Sequence, residues 1–155
     1  MEGLNCRHQA EITPPKMRTI TTLMMTLLLS AASGQGIQDF KTKTTANQTD
    51  RTMMLDILRA KIYEEHKQEF VFVVKHFKVG GNYAWFMGDA TRRDGKEVRL
   101  SEDYYDCCHV EALFKKNAGK WYIVESSAFS SDLWWQGISK RHPAAPIGIF
   151  DQFGR

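Results

Sequence analysis

The chain has 155 residues, a formal net charge of +3, and a composition that is 43% hydrophobic and 25% charged, the profile of one ordinary globular domain. The excess positive charge is small and dispersed, which argues against nucleic acid as a partner, because a phosphate backbone selects a concentrated basic stripe. Three cysteines are too few for a scaffold held together by disulfides.

Met1 to Lys16 is polar, broken by Pro14-Pro15, and reads as an over-extended start ahead of Met17. Arg18, the apolar run Ile20 to Leu29 and the small residues Ser30 to Gly34 have the layout of a secretory signal peptide over 17–34, with cleavage after Ala32 or Gly34 fitting equally. The apolar run is too short to span a bilayer, so no stable membrane span is expected in the mature form. Residues 35–49 are rich in Lys and Thr and are expected to form a flexible linker. Asn47-Gln48-Thr49 within it matches a glycosylation sequon, relevant only in a eukaryotic secretory pathway.

A single domain is expected over 50–150, with 151–155 as a tail. Asp50 is positioned to cap a helix whose apolar stripe is Met53, Met54, Ile57, Leu58 and Ile62, ending near Glu65 or His66. Phe70 to Val79, the Gly80-Gly81-Asn82 turn and Tyr83 to Ala90 give the clearest hairpin signal in the chain. Strict alternation along its first strand places Val71, Val73, Lys75, Phe77 and Val79 on one face. Asp94-Gly95 marks a tight turn, and the charged stretch that follows reads as an excursion between strands. Cys107 to Lys116 and Lys120 to Ser126, joined at Asn117-Ala118-Gly119, read as two further strands. Ser130-Ser131-Asp132 is expected to cap a short helix carrying Leu133, Trp134, Trp135 and Ile138, which Pro143 and Pro146 stop. Ile147 to Phe150 is apolar enough to dock back. The fold class is therefore α+β, an N-terminal helix packed on a four-stranded antiparallel meander with a short C-terminal helix.

Phe72-Val-Val-Lys-His76, Gly81-Asn-Tyr-Ala-Trp-Phe86, the Arg93-Asp-Gly95 turn and Lys120-Trp-Tyr-Ile-Val124 resemble a group of small secreted bacterial proteins of unassigned function. The layout over Asp50 to Phe150 also resembles the cystatin and nuclear-transport-factor-like superfold, which implies a cystatin-like arrangement of helix and sheet. That superfold hosts inhibitors, binding modules and enzymes, so the resemblance implies no particular activity. The chain has no Gln-Val-Val loop of the cystatin kind, and no paired Asp and His of the isomerase kind aligns with it.

Three groups of residues bear on chemistry. Lys75 and His76 interrupt a hydrophobic strand, and Lys75 with Glu125 or Glu111 would make an acid-base site if the amine were buried; the plainer expectation is that its stem packs and its ammonium reaches water. Cys107-Cys108-His109 offers soft metal ligands, with Cys108 and His109 the candidates. Neighbouring strand residues face opposite ways, however, so small buried thiols beside a surface histidine, with no metal or other cofactor, are the expectation. Trp85, Trp134 and Trp135 are candidate ligand-binding aromatics, competing with a role in the core. The function expected is a binding or interaction module of the periplasmic or secreted space, meeting an envelope or extracellular partner or a small ligand. The alternative is a small enzyme with a cone-shaped pocket, using Lys75, His76 and Glu125 as acid-base groups.

Overall fold

A computed structural model describes residues 36–100, 106–151; the expected signal peptide lies outside the described residues. The element order is β1 (Gln38–Asp39), α1 (Gln48–His66), β2 (Phe70–Gly80), β3 (Tyr83–Arg92), β4 (His109–Asn117), β5 (Lys120–Ala128), α2 (Ile138–Arg141) and a 3-10 turn at Ile147–Ile149. The strands form one antiparallel sheet in the order β1-β2-β3-β4-β5. The architecture is α+β, with one long helix on an open antiparallel sheet and a short C-terminal helix.

The sheet has five strands rather than four. The additional one, β1, comes from the stretch expected to be a flexible linker. Gln38 and Asp39 pair with Val79 and Lys78, the Phe40 ring is buried, and the Arg51 Nε donates to the Phe40 carbonyl at 2.9 Å. A single aromatic side chain and a cation from α1 fix a segment whose composition is otherwise that of a linker. Asn47 caps α1 and is buried, with its Nδ2 donating to the Thr42 carbonyl at 2.9 Å. The sequon amide is thereby engaged inside the fold.

Alternate residues along each strand feed two separate cores. One face carries Phe70, Phe77, Phe86, Phe114 and Trp121, packed under Met54, Leu55, Leu58 and Ile62 of α1. The buried helix stripe is rotated from the expected one, for Met53 is exposed and Leu55 takes its place. The opposite face carries Trp85 and Leu113, covered by Ile138, Ala145, Ile149 and Phe150 of the C-terminal segment. The chain crosses from β5 to that face at Phe129, a buried aromatic residue at φ +63°, a left-handed backbone that only surrounding packing can hold. Its amide donates to the His109 carbonyl at 2.8 Å.

Two irregularities decide where side chains point. Val74 pairs with Gly88 but His76 pairs with Met87, leaving Lys75 as the extra residue of a bulge. Before the bulge Val71 and Val73 are exposed; after it Phe77 and Val79 are buried against α1. The single face expected for all four is therefore divided by one inserted residue. The second irregularity, between Leu113 and Phe114 in the register with β5, makes Val124 the extra residue there.

The C-terminal helix begins later than expected. Trp134 and Trp135 lie in turns, and the helix is only Ile138–Arg141, entered through Gly137 at φ +67°. Ile149 and Phe150 dock as expected and are buried.

Candidate functional site

A polar row crosses the sheet on the face away from α1. Lys75, released by its bulge, places Nζ 2.7 Å from Asp89 of β3. Asp89 lies directly opposite His109 in the ladder, with its Oδ1 3.7 Å from the imidazole Nδ1. The other imidazole nitrogen, Nε2, contacts Glu111 Oε1; His109 and Glu111 are two apart on β4 and therefore share a face. Glu111 is only 3% exposed, and its Oε2 accepts a hydrogen bond from Trp134 Nε1 at 3.2 Å.

A buried carboxylate is costly unless its charge is matched and its oxygens are engaged. In Glu111 the charge lies against His109 and one oxygen, Oε2, is engaged by Trp134. The effect on the imidazole follows: the hydrogen bond to Glu111 raises the His109 pKa above the usual 6.5, against the opposing pull of burial and of Lys75, with Asp106 adding to the rise. The net effect favours the protonated imidazole.

This row forms one wall of an open cleft of about 610 Å³, lined by Lys75, Asp89, Asp106, His109, Trp135 and the Cys107-Cys108 pair, among others. The His109 and Trp135 rings meet edge to face with centroids 6.3 Å apart. Cys107 is exposed rather than buried, and it is joined to Cys108 in a disulfide. The expected pair of buried free thiols is corrected on both counts. Among the described residues no three His, Cys, Asp or Glu side chains are grouped to hold a metal ion.

The three residues expected to form an acid-base site have separate partners. Lys75 is half exposed and belongs to the row through Asp89, as the expectation of a solvated ammonium implies, although its carboxylate partner is neither Glu125 nor Glu111. His76 Nε2 donates to the Ile149 carbonyl at 2.7 Å and so fastens the C-terminal segment. Glu125 binds Arg141 at 2.9 Å and also contacts His142; the hydrogen bond to Arg141 holds its pKa below the usual carboxylate value against the opposing effect of burial, with the His142 contact adding to the fall. Arg141 also donates to the Trp134 and Gln136 carbonyls. Glu125 thus anchors the turn that positions both tryptophans. Of the candidate aromatics, Trp85 is fully buried against Trp134 and Phe150, Trp134 supports Glu111, and Trp135 alone lines the cleft.

Sequence reasoning missed Asp89. It is found by counting back across the two-residue turn: unbroken pairing from Gly80 opposite Tyr83 places Lys75 opposite Gly88, beside Asp89.

Among the described residues no helix is long and apolar enough to cross a membrane. Comparison of the chain with family models, curated proteins and solved structures found no match.

Proposed function

We propose that the protein is a small ligand-binding module of the secreted or periplasmic space, and that its site is the cleft beside His109. The observation that supports this reading most strongly is the buried Glu111, held by Trp134 and reaching His109 on the cleft wall. A fold gains little from such a pair over apolar packing of the same volume, whereas a binding surface gains a charge fixed in position.

The ligand class follows from the lining. Lys75 and His109 supply positive charge, Asp89 and Asp106 negative charge, and Trp135 an aromatic wall. Groups of both signs within one small cleft suit a zwitterion, with its carboxylate toward Lys75 and His109, its ammonium toward Asp89 and Asp106, and an apolar side chain on Trp135. A free amino acid has that form.

The enzymatic alternative has less support. A general base must be unprotonated near neutral pH and have a nitrogen available. Both nitrogens of His109 lie beside carboxylates and Glu111 favours its protonated form, while Lys75 is paired with Asp89 and His76 and Glu125 hold the C-terminal segment.

Titration calorimetry with phenylalanine, phenethylamine and 3-phenylpropionate tests the reading. Phenylalanine is expected to bind at least about tenfold more tightly than either singly charged analogue, and Trp135→Ala to weaken it. Equal affinity for all three, or no heat from phenylalanine at millimolar concentration, would overturn the zwitterion site.

A further inference from the structure

The outer edge of β2 is only partly covered. β1 pairs with Lys78 and Val79, and Phe40 donates to the Phe77 carbonyl at 2.7 Å. Among the described residues no strand lies beyond Phe70 to His76 on that side. Val71 is 36% exposed and Val73 55% exposed on this stretch. An open edge with apolar side chains is a template for another strand, and proteins that keep such edges monomeric place charges or bulges on them. Here the bulge and its charge, Lys75, come at the end of the apolar stretch, so that they limit its length and leave Val71 and Val73 free.

We infer that this edge pairs with a second copy of the chain, antiparallel about a two-fold axis through Phe72. The edge is self-complementary in this register. With Phe72 opposite Phe72 of the second copy, Val71 falls opposite Val73, and Glu69 opposite Lys75. The four valines then make one apolar stripe, closed at each end by opposite charges. Both charged side chains meet a partner in their own chain, Glu69 with Arg93 and Lys75 with Asp89, yet stay exposed enough to reach a second one, with 68% of Glu69 and 53% of Lys75 accessible.

Neighbouring registers are poorer. A slip of one residue sets the exposed face of one copy against the buried face of the other. Centring on Val71 brings Lys75 opposite Lys67, which repels. Centring on Val73 places Val71 against Lys75 and requires Phe77, whose carbonyl Phe40 already occupies. The outer edge of β5 is less suited, because the extra residue Val124 breaks its alternation.

Such a contact is isologous, joining two five-stranded sheets into one of ten strands. It sets Glu69 of the second copy beside Lys75, on the rim of the cleft. Main-chain pairing and the valines supply the affinity, and the exposed charges choose the register.

Sedimentation of the purified chain over a concentration series tests the inference. The wild type is expected to dimerise weakly, with a Kd on the order of 100 µM, as a short strand pair allows. Val73→Lys should leave a folded monomer, its fold checked by circular dichroism. Glu69→Lys alone should weaken the dimer about five- to tenfold by setting like charges together at both ends, and Glu69→Lys with Lys75→Glu should restore it. A wild type that stays monomeric at about 1 mM, a dimer indifferent to Val73→Lys, or a charge swap that fails to restore association would each overturn the inference.

Discussion

Glu111 shows how one side chain ties the fold to the proposed site. Its carboxylate lies beneath the cleft wall, with His109 on one oxygen and Trp134 on the other. Glu111→Ala removes the charge and the acceptor together, leaving the indole N–H without a partner and the imidazole without its counter-charge. The expected cost is about 3 kcal/mol, at the lower end for a broken buried pair because His109 can turn partly to water. Glu111→Gln keeps an acceptor for Trp134 and should recover a substantial part of that loss. Urea melts of the two variants beside the wild type check the ordering, and an alanine variant within about 0.5 kcal/mol of the wild type would show that the pair carries no stability. Lys75 is the contrast. Its bond to Asp89 is short but half exposed, and exposed pairs contribute about 1 kcal/mol or less.

At the scale of elements, the bulge in β2 explains most of the distance between sequence and structure. Period-two alternation is legible along Phe70 to Val74 and again along Phe77 to Val79, but the residue inserted between them is a property of the pairing with β3 and leaves no mark in β2 itself. Its trace lies on the partner strand. A Cβ built on Gly88 would come 2.5 Å from the Val73 carbonyl oxygen and 3.1 Å from the Phe86 ring, so the two backbones approach more closely than any side chain permits. Gly88→Ala must displace β2 or β3 next to Lys75 and should cost about 1–3 kcal/mol. Thermal melts can decide this, and an unchanged midpoint would mean that the strands separate there without penalty.

The other elements differ in how well they could be read. The Asn117-Ala118-Gly119 turn was legible from Gly119, which suits the left-handed backbone it adopts at φ +79°, although Ala118 beside it takes φ +47° without that advantage. β1 was not, since two paired residues and one buried ring are too little to show against a Lys- and Thr-rich background. Nor was the position of the C-terminal helix. Its fixing groups are Arg141 and His142 on Glu125, a contact across sixteen and seventeen residues of sequence that no local cap signals.

Over the whole molecule, the sheet separates two kinds of work. The α1 face is an aromatic and aliphatic core in which strand alternation and helix period were legible for Met54, Leu58 and Ile62 but not for Phe40, Leu55 or the side on which Phe77 and Val79 fall. The opposite face is half core and half charge: Trp85, Leu113, Ile149 and Phe150 close one end, while Lys75, Asp89, His109 and Glu111 occupy the other. Lys75 and Glu111 drew notice in the sequence as a possible acid-base pair, and His109 separately as a candidate metal ligand. Only the strand register, with Asp89 opposite His109 and Met87 opposite Glu111, brings them into one row. Long-range pairing of this kind is what a single sequence encodes least directly.

The proposed binding site depends on His109 being a fixed cation, so its titration is the measurement to make. The imidazole pKa is raised by Glu111; His109 therefore contributes stability that is fully present below the usual value of 6.5 and is lost as pH rises through the higher folded value. His66 acts in the opposite sense. Burial lowers its pKa below 6.5, so its contribution is present above 6.5 and is lost as pH falls through the lower folded value. Following the ring resonances by NMR separates the two residues. A His109 midpoint clearly above 6.5 is expected, falling toward 6.5 in Glu111→Gln. A wild-type midpoint at or below 6.5 would contradict the proposed site, because the imidazole would then be neutral where the cleft requires a positive charge.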